Sequence, residues 1–135
     1  MKFRRSAFVA TACVAALATG AGTAMAGQDA GFVVANSSDC DTPDHAAAEG
    51  RFWNEGDKFT IEDICSDGHR AVLQVDAGAA QPGEGYDWKM EAAGGWGDKT
   101  TVVHNYAEGT FVQIRACVYE GSTKLSCSRW DQGEA

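Results

Sequence analysis

Apolar and polar residues alternate along much of this chain, most regularly between residues 56 and 75. Phe59 and Ile61 are spaced by Lys58, Thr60 and Glu62, the period of two expected of a strand with one buried side. Ala71, Leu73 and Val75 are spaced by Arg70, Gln74 and Asp76, with Val72 the single apolar exception. Between the two runs, Ser66-Asp67-Gly68 suits a three-residue hairpin loop, a type I turn closed by a left-handed glycine. This loop predicts a β-hairpin with Cys65 opposite His69, Ile61 opposite Leu73 and Phe59 opposite Val75. Both strands then present one apolar face. A two-residue Asp67-Gly68 turn would set Ile61 opposite Gln74 and split that face.

Shorter runs of the same kind flank this hairpin. Phe32-Val33-Val34 reads as a short strand or a tail, and Gly50-Arg51-Phe52-Trp53 as a short strand. Tyr86, Trp88 and Met90 alternate with Asp87, Lys89 and Glu91. Residues 100–105 are rich in β-formers. Residues 110–119 form the longest strand candidate, with Val112, Ile114, Ala116 and Val118 on one side. Residues 124–130 form the last strand, and residues 131–135 a polar tail. Turn signals such as Asp41-Thr42-Pro43-Asp44 and Glu120-Gly121-Ser122 separate the runs at intervals of about ten residues. No amphipathic helix, repeat or heptad is visible. The pattern predicts an all-β, disulfide-bonded antiparallel sandwich, immunoglobulin-like or similar, of about six to seven strands. Residues 108–117 have the look of the turn and penultimate strand of immunoglobulin-like sandwiches.

The N-terminus adds an address. Lys2, Arg4 and Arg5 precede a run of small and apolar residues, and Ala24-Met25-Ala26 fits the small-x-small cleavage rule. The run is too short and alanine-rich to span a membrane comfortably. The expectation is a signal peptide over residues 1–26, a loop-rich segment over 27–48 and a β-sandwich domain over 49–135. Removing Lys2, Arg4 and Arg5 from the eleven basic residues leaves eight against nineteen acids, a net charge of −11. That charge argues against nucleic acid and against anionic membrane surfaces as partners.

Cys13 lies within the signal. The remaining Cys40, Cys65, Cys117 and Cys127 make an even set in an exported chain, which reads as two disulfides. Short loops favour Cys40–Cys65 with Cys117–Cys127, and each bridge is worth roughly 3 kcal/mol on the chain-entropy model. The rival set is Cys65–Cys117 with Cys40–Cys127. For Cys117 to face Cys127, the last hairpin must be centred on Ser122. A two-residue Gly121-Ser122 turn misses that centre, so an odd-length loop or a bulge is required.

Gly56-Asp-Lys-Phe-Thr-Ile61, Cys65-Ser-Asp-Gly-His-Arg-Ala71, Ile114-Arg-Ala-Cys-Val118 and the late Cys127 together resemble small secreted proteins of filamentous actinobacteria. In those proteins a signal peptide precedes a compact, disulfide-bonded β-domain. The likeness covers most of residues 50–130, and its motifs are a strand, a turn and paired cysteines. That group commonly carries the first of these cysteines directly on the strand before the turn, whereas here Glu62-Asp63-Ile64 intervenes before Cys65. The resemblance implies an exported β-domain and carries over no catalytic residue.

Candidate chemistry is sparse. His45, His69 and His104 lack metal-ligand spacing, and Asp39, Asp41 and Asp44, with Asp63 and Asp67 flanking the turn, match no calcium-loop pattern. No Gly-x-Ser-x-Gly motif and no phosphate-binding glycine loop occurs. Neither a metal nor a cofactor is expected. Among the tryptophans, Trp53 and Trp88 lie on strands and read as core, and Trp130 at a strand end fits either side. Trp96, inside Gly94-Gly95-Trp96-Gly97, reads as exposed, and an exposed tryptophan can stack on a sugar or anchor in a protein pocket. The resulting expectation is a non-enzymatic extracellular binding module for a protein or a glycan, with Trp96 as its contact. The alternatives are a secreted hydrolase inhibitor or small hydrolase, or a structural component of the cell exterior. A His–Asp pair or two carboxylates meeting in a cleft would favour the enzyme. The signal reading predicts that N-terminal sequencing of the exported protein starts at Gly27-Gln28-Asp29; a start at Met1 would refute it.

Overall fold

Nine strands and no helix make up the described residues, 27–78 and 85–135, of the computed structural model. The predicted signal peptide and most of the connection after Ala77 lie outside the described residues. In chain order the strands are β1 (Ala30–Asn36), β2 (Ala46–Trp53), β3 (Lys58–Asp63), β4 (Arg70–Ala77), β5 (Trp88–Ala92), β6 (Lys99–Val103), β7 (Phe111–Glu120), β8 (Thr123–Cys127) and β9 (Asp131–Glu134). They form two antiparallel sheets. One has the order β1-β2-β3-β6; the other has the order β5-β4-β7-β8, with β9 also on β7. Strands β2 to β8 follow an immunoglobulin-like order: the first, second and fifth of the seven share one sheet, and the others share its partner.

The predicted hairpin is corrected by this topology. Strands β3 and β4 are not paired; they lie in opposite sheets. Ile61 is flanked by Gly50 and Thr100, and Leu73 by Met90 and Ala116. Residues 64–69 therefore form an arch that crosses from one sheet to the other. The apolar faces were nevertheless read correctly: Phe59, Ile61, Leu73 and Val75 are all fully buried in one core. Alternation states which side of a strand is apolar. It does not state whether the neighbouring run covers that side from within the sheet or from across the sandwich, about 10 Å away. Gly68 is left-handed, with φ 79°, as the turn chemistry required.

Two further expectations change. The segment 27–48 was expected to be loop-rich, yet it supplies all of β1 and the start of β2. The polar tail supplies β9, so the strands among the described residues number nine rather than six or seven. The signals were weak because alanine and glycine replace the large apolar residues at these inward positions. Ala30, Ala35, Ala48 and Gly50 are buried, and small side chains suffice where the sheets approach closely. A Cβ on Gly50 would run into Leu73 Cδ1 and come within 3.1 Å of Val33 Cγ2.

Val72, the apolar exception, now has a cause. It is fully buried on the outer face of its sheet, in a second small cluster with Cys117 and Tyr119, against which Cys127 packs. Strand β4 is thus covered on both sides. The bridges are Cys40–Cys65, with 5.9 Å between Cα atoms, and Cys117–Cys127, with 4.0 Å. The second bridge uses the required bulge. Glu120 pairs with Thr123 around a two-residue Gly121-Ser122 turn, the register shifts at Val118/Tyr119, and Leu125 is the extra residue that brings Cys127 opposite Cys117. Gly121 at φ 57° supplies the positive φ that the first position of such a turn needs.

The open edges of both sheets are tied together. On one side Thr100 Oγ1 donates to the Glu91 carbonyl at 2.8 Å. On the other, the Gly31 N–H donates to Asp131 Oδ2 at 2.6 Å, and Gln28 and Glu134 exchange backbone hydrogen bonds. The end of the sandwich that carries the β2–β3 turn is plugged by aromatic rings. The Phe59 centroid lies 4.8 Å from Phe52 and 5.0 Å from Trp88, and Trp88 Nε1 donates to Tyr106 Oη at 2.9 Å. Asp57 fastens the plug by accepting from the Tyr106 N–H at 2.6 Å. Gly50→Ala is expected to lower stability by about 1–3 kcal/mol through overpacking against Leu73. Urea unfolding checks it; an unchanged midpoint would mean that the sheets have room to spare.

Candidate functional site

Strand registers place four connections at one end of the sandwich. Ala48 pairs with Asp63, Glu62 with Lys99, Ala71 with Ala92, and Arg70 with Tyr119. The β1–β2 loop (37–45), the arch (64–69), the β5–β6 loop (93–98) and the Gly121-Ser122 turn therefore gather together. Loops held by a rigid sandwich are common places for recognition.

The β5–β6 loop carries Trp96, whose exposure of 73% is the greatest of any large apolar side chain among the described residues. Its backbone is held at three points. The Asp98 N–H donates to the Gly95 carbonyl at 2.8 Å, which closes a turn with Trp96 and Gly97 at its centre. Gly97, at φ 83°, supplies the positive φ that a type II turn requires after its first central residue. Asp98 Oδ2 accepts from the Gly94 N–H at 2.7 Å. Finally, the Gly97 N–H donates to the Asp63 carbonyl at 2.7 Å, and the Asp63 N–H donates to the Asp98 carbonyl at 2.9 Å. The glycines permit a tight turn bolted to the end of β3. Trp96 is held out to solvent on fixed backbone.

Beneath this end lies a recess of about 130 Å³ lined by Ala47, Asp63, Asp67, His69, Arg70, Ala71 and Val118. His69 Nδ1 is 3.2 Å from Asp67 Oδ2, and its Nε2 is 3.9 Å from Asp39 Oδ2. A His–Asp pair is thus present. In a Ser-His-Asp triad the ring nitrogen opposite the carboxylate meets the nucleophile's hydroxyl. Here carboxylates occupy both sides, and among the described residues no hydroxyl hydrogen-bonds to the ring. The recess is also shallow, with no enclosed space for even one water molecule. The arrangement clamps the arch: the Asp67 carboxylate also accepts from the His69 N–H at 2.9 Å and from the Ser37 hydroxyl. Burial opposes the charge on Asp67, but these donors and the His69 ring together hold its carboxyl below the ordinary value.

Asp63 is shifted the other way. It points into the core end, is 2% exposed, and its Oδ1 accepts only the Cys65 N–H at 3.2 Å. Its Oδ2 is buried without a hydrogen-bond partner. Burial raises its pKa above 3.8; the charges of Asp67 and Asp98 add to the rise, against the Cys65 N–H and His69.

The remaining sequence candidates fall as follows. Trp53, read as core, is corrected: it lies on the outer face of the first sheet, with Lys58 Nζ 4.5 Å and Arg51 Cζ 4.8 Å from its ring centroid. It occupies the polar phase of β2, whose inward positions are Ala48, Gly50 and Phe52. Trp88 is half-buried and packed on the core, with His104 stacked 4.3 Å away. Trp130 lies outside, 4.5 Å from Arg115 Cζ. His45 Nδ1 is 2.8 Å from the Cys40 carbonyl oxygen, within its own loop. Among the described residues no three His, Cys, Asp or Glu side chains converge as metal ligands. The sequence set Asp63 and Asp67 about one turn and Asp39 in another loop, but their meeting with His69 joins separate loops and no spacing shows it.

For Asp63 the folded pKa exceeds the unfolded one, so the native state binds more protons between 3.8 and its raised value. The stabilising contribution of the protonated carboxyl is present in acid and lost as pH rises through that window. Asp63→Asn removes the titration and keeps the Oδ1 acceptor. The expected outcome is similar stability of both forms in acid and a more stable variant at neutral pH. Denaturant midpoints at the two pH values check this; a wild-type advantage growing with pH would refute the burial argument. Compared with known proteins, the chain matches no family model, no curated protein and no solved structure.

Proposed function

We propose that this chain is an exported, non-enzymatic β-sandwich that acts as an extracellular binding module, with Trp96 as its principal contact. The observation that carries this reading is the combination of 73% exposure with a turn held by hydrogen bonds on both flanks. An exposed indole is unfavourable in water and gains by burial against a partner. Fixed backbone lowers the entropy lost on binding. Aromatic anchors of this kind dominate many interfaces. Export is supported by the signal-like N-terminus and by the two disulfides. Among the described residues no helix is long and apolar enough to cross a membrane.

The hydrolase alternative has less support: the His69–Asp67 pair faces a second carboxylate in a recess too small for a substrate. The test is a pull-down with the processed protein against extracellular proteins and polysaccharides, comparing wild type with Trp96→Ala. The expected result is a ligand held by wild type and weakened by about 2 kcal/mol or more in the variant. Equal recovery by both forms would end the Trp96 reading. Because Trp96 is on the surface, the variant is expected to unfold at the wild-type midpoint.

A further inference from the structure

Three of the four tryptophans have a cation or an imidazole against the ring. Arg51 and Lys58 flank Trp53, Arg115 covers Trp130, and His104 stacks on Trp88. Outward-facing Phe32 also has a cation beside it, with Arg51 Cζ 4.5 Å from its centroid, although the ring stays 60% exposed. Trp96 has no such neighbour among the described residues, although it is the most exposed of the four.

Its surroundings carry the opposite charge. Asp98 belongs to the same turn, and Asp63 anchors that turn through its backbone. Asp67 and Asp98 are close enough to Asp63 to act on its charge. Nearby cations are already engaged: Lys99 Nζ with Glu62 at 2.9 Å, and Arg70 with Glu91 at 2.6 Å and with the Gly121 carbonyl. One carboxylate oxygen, Asp63 Oδ2, is buried with no hydrogen-bond partner, whereas Asp67 Oδ2 lies 3.2 Å from His69 Nδ1. A bare indole face attracts a cation through its quadrupole. Carboxylates within a Debye length, about 8–10 Å, strengthen that attraction.

We infer that the Trp96 turn receives a lysine or arginine side chain of a basic protein partner, its charge over the indole face and beside Asp98 of the same turn. This inference rests on the reading of Trp96 as a contact residue and goes further by fixing the chemistry of the partner. A neutral glycan would stack on the same ring and donate hydroxyls to a carboxylate, but it would form no ion pair with Asp98. The excess of acid over the whole chain also draws a basic partner in during encounter.

The probes are hexa-arginine peptide and cellohexaose, titrated calorimetrically into the full exported protein at low and high salt. Wild type is compared with Trp96→Ala and with Asp98→Asn, which loses the charge but retains an oxygen acceptor for Gly94. The expected result is hexa-arginine binding that weakens roughly tenfold in Trp96→Ala. It also weakens in Asp98→Asn and at high salt, and cellohexaose does not compete. Absence of hexa-arginine binding overturns the inference. So does equal binding by wild type and Trp96→Ala, since the peptide would then be held by scattered acids. If cellohexaose binds wild type and is lost in Trp96→Ala while hexa-arginine is ignored, the cationic partner falls and Trp96 stands as a sugar contact. If neither variant nor salt changes the binding of either probe, and the pull-down is equally indifferent to Trp96→Ala, both readings fall. The salt series requires no substitution and so decides even if Asp98→Asn folds poorly.

Discussion

Contact between the apolar faces of β3 and β4 across the sandwich is the interaction on which the rest of the structure depends. Phe59 and Ile61 from one sheet meet a layer formed by Leu73, Val75 and Ile114 of the other, and all five are fully buried. Because those faces must oppose each other, residues 64–69 have to cross between sheets rather than turn back within one. The crossing needs support, since an arch gains few ladder hydrogen bonds. Cys40–Cys65 ties it to the β1–β2 loop, the Ile64 N–H donates to the Ala47 carbonyl at 3.0 Å, and Asp67 holds the His69 and Ser37 donors.

The arch in turn determines what the end of the molecule presents. Asp63 closes β3 with its side chain directed inward, which costs the energy of a buried carboxyl. Its backbone is left free to exchange hydrogen bonds with Gly97 and Asp98. Trp96 stands on that anchored turn. The same contact that builds the core thus fixes the most exposed aromatic ring, two steps removed along a chain of hydrogen bonds. Elsewhere the outer faces are finished by side chains lying over one another. Gln74, 1% exposed, donates to Tyr119 Oη at 2.8 Å and accepts from Arg115 Nε at 2.7 Å, and Arg115 lies against Trp130. Among the described tryptophans, cations lie against Trp53 and Trp130 and none lies against Trp96.

Much of this was legible in the residues, and the parts that were not have identifiable causes. Phe59, Ile61, Leu73 and Val75 announced a buried face, and the β-bulge needed to bring Cys127 opposite Cys117 followed from counting positions around Ser122. The exposure of Trp96 followed from its glycine-rich setting. The pairing of β3 with β2 and β6 did not follow, because Gly50 and Thr100 give no sign that they flank Ile61. Trp53 was misplaced because its bulk resembles a core residue, and the cations that cover it are supplied partly by a neighbouring strand. The grouping of Asp39, Asp63, Asp67, Asp98 and His69 escaped notice because no local spacing links three loops.

The sequence by itself determined the class of the fold, the inward side of its main strands, the cysteine framework and the one exposed tryptophan. Each of these depends on residues close together along the chain: alternation, turn chemistry, and loops short enough to close. The tertiary structure alone decided which strands share a sheet, that a presumed hairpin is an arch, and which charges surround Trp96. These are contacts between distant residues. Backbone hydrogen bonds are chemically alike at every position, so only the simultaneous covering of all apolar faces selects among the possible partners.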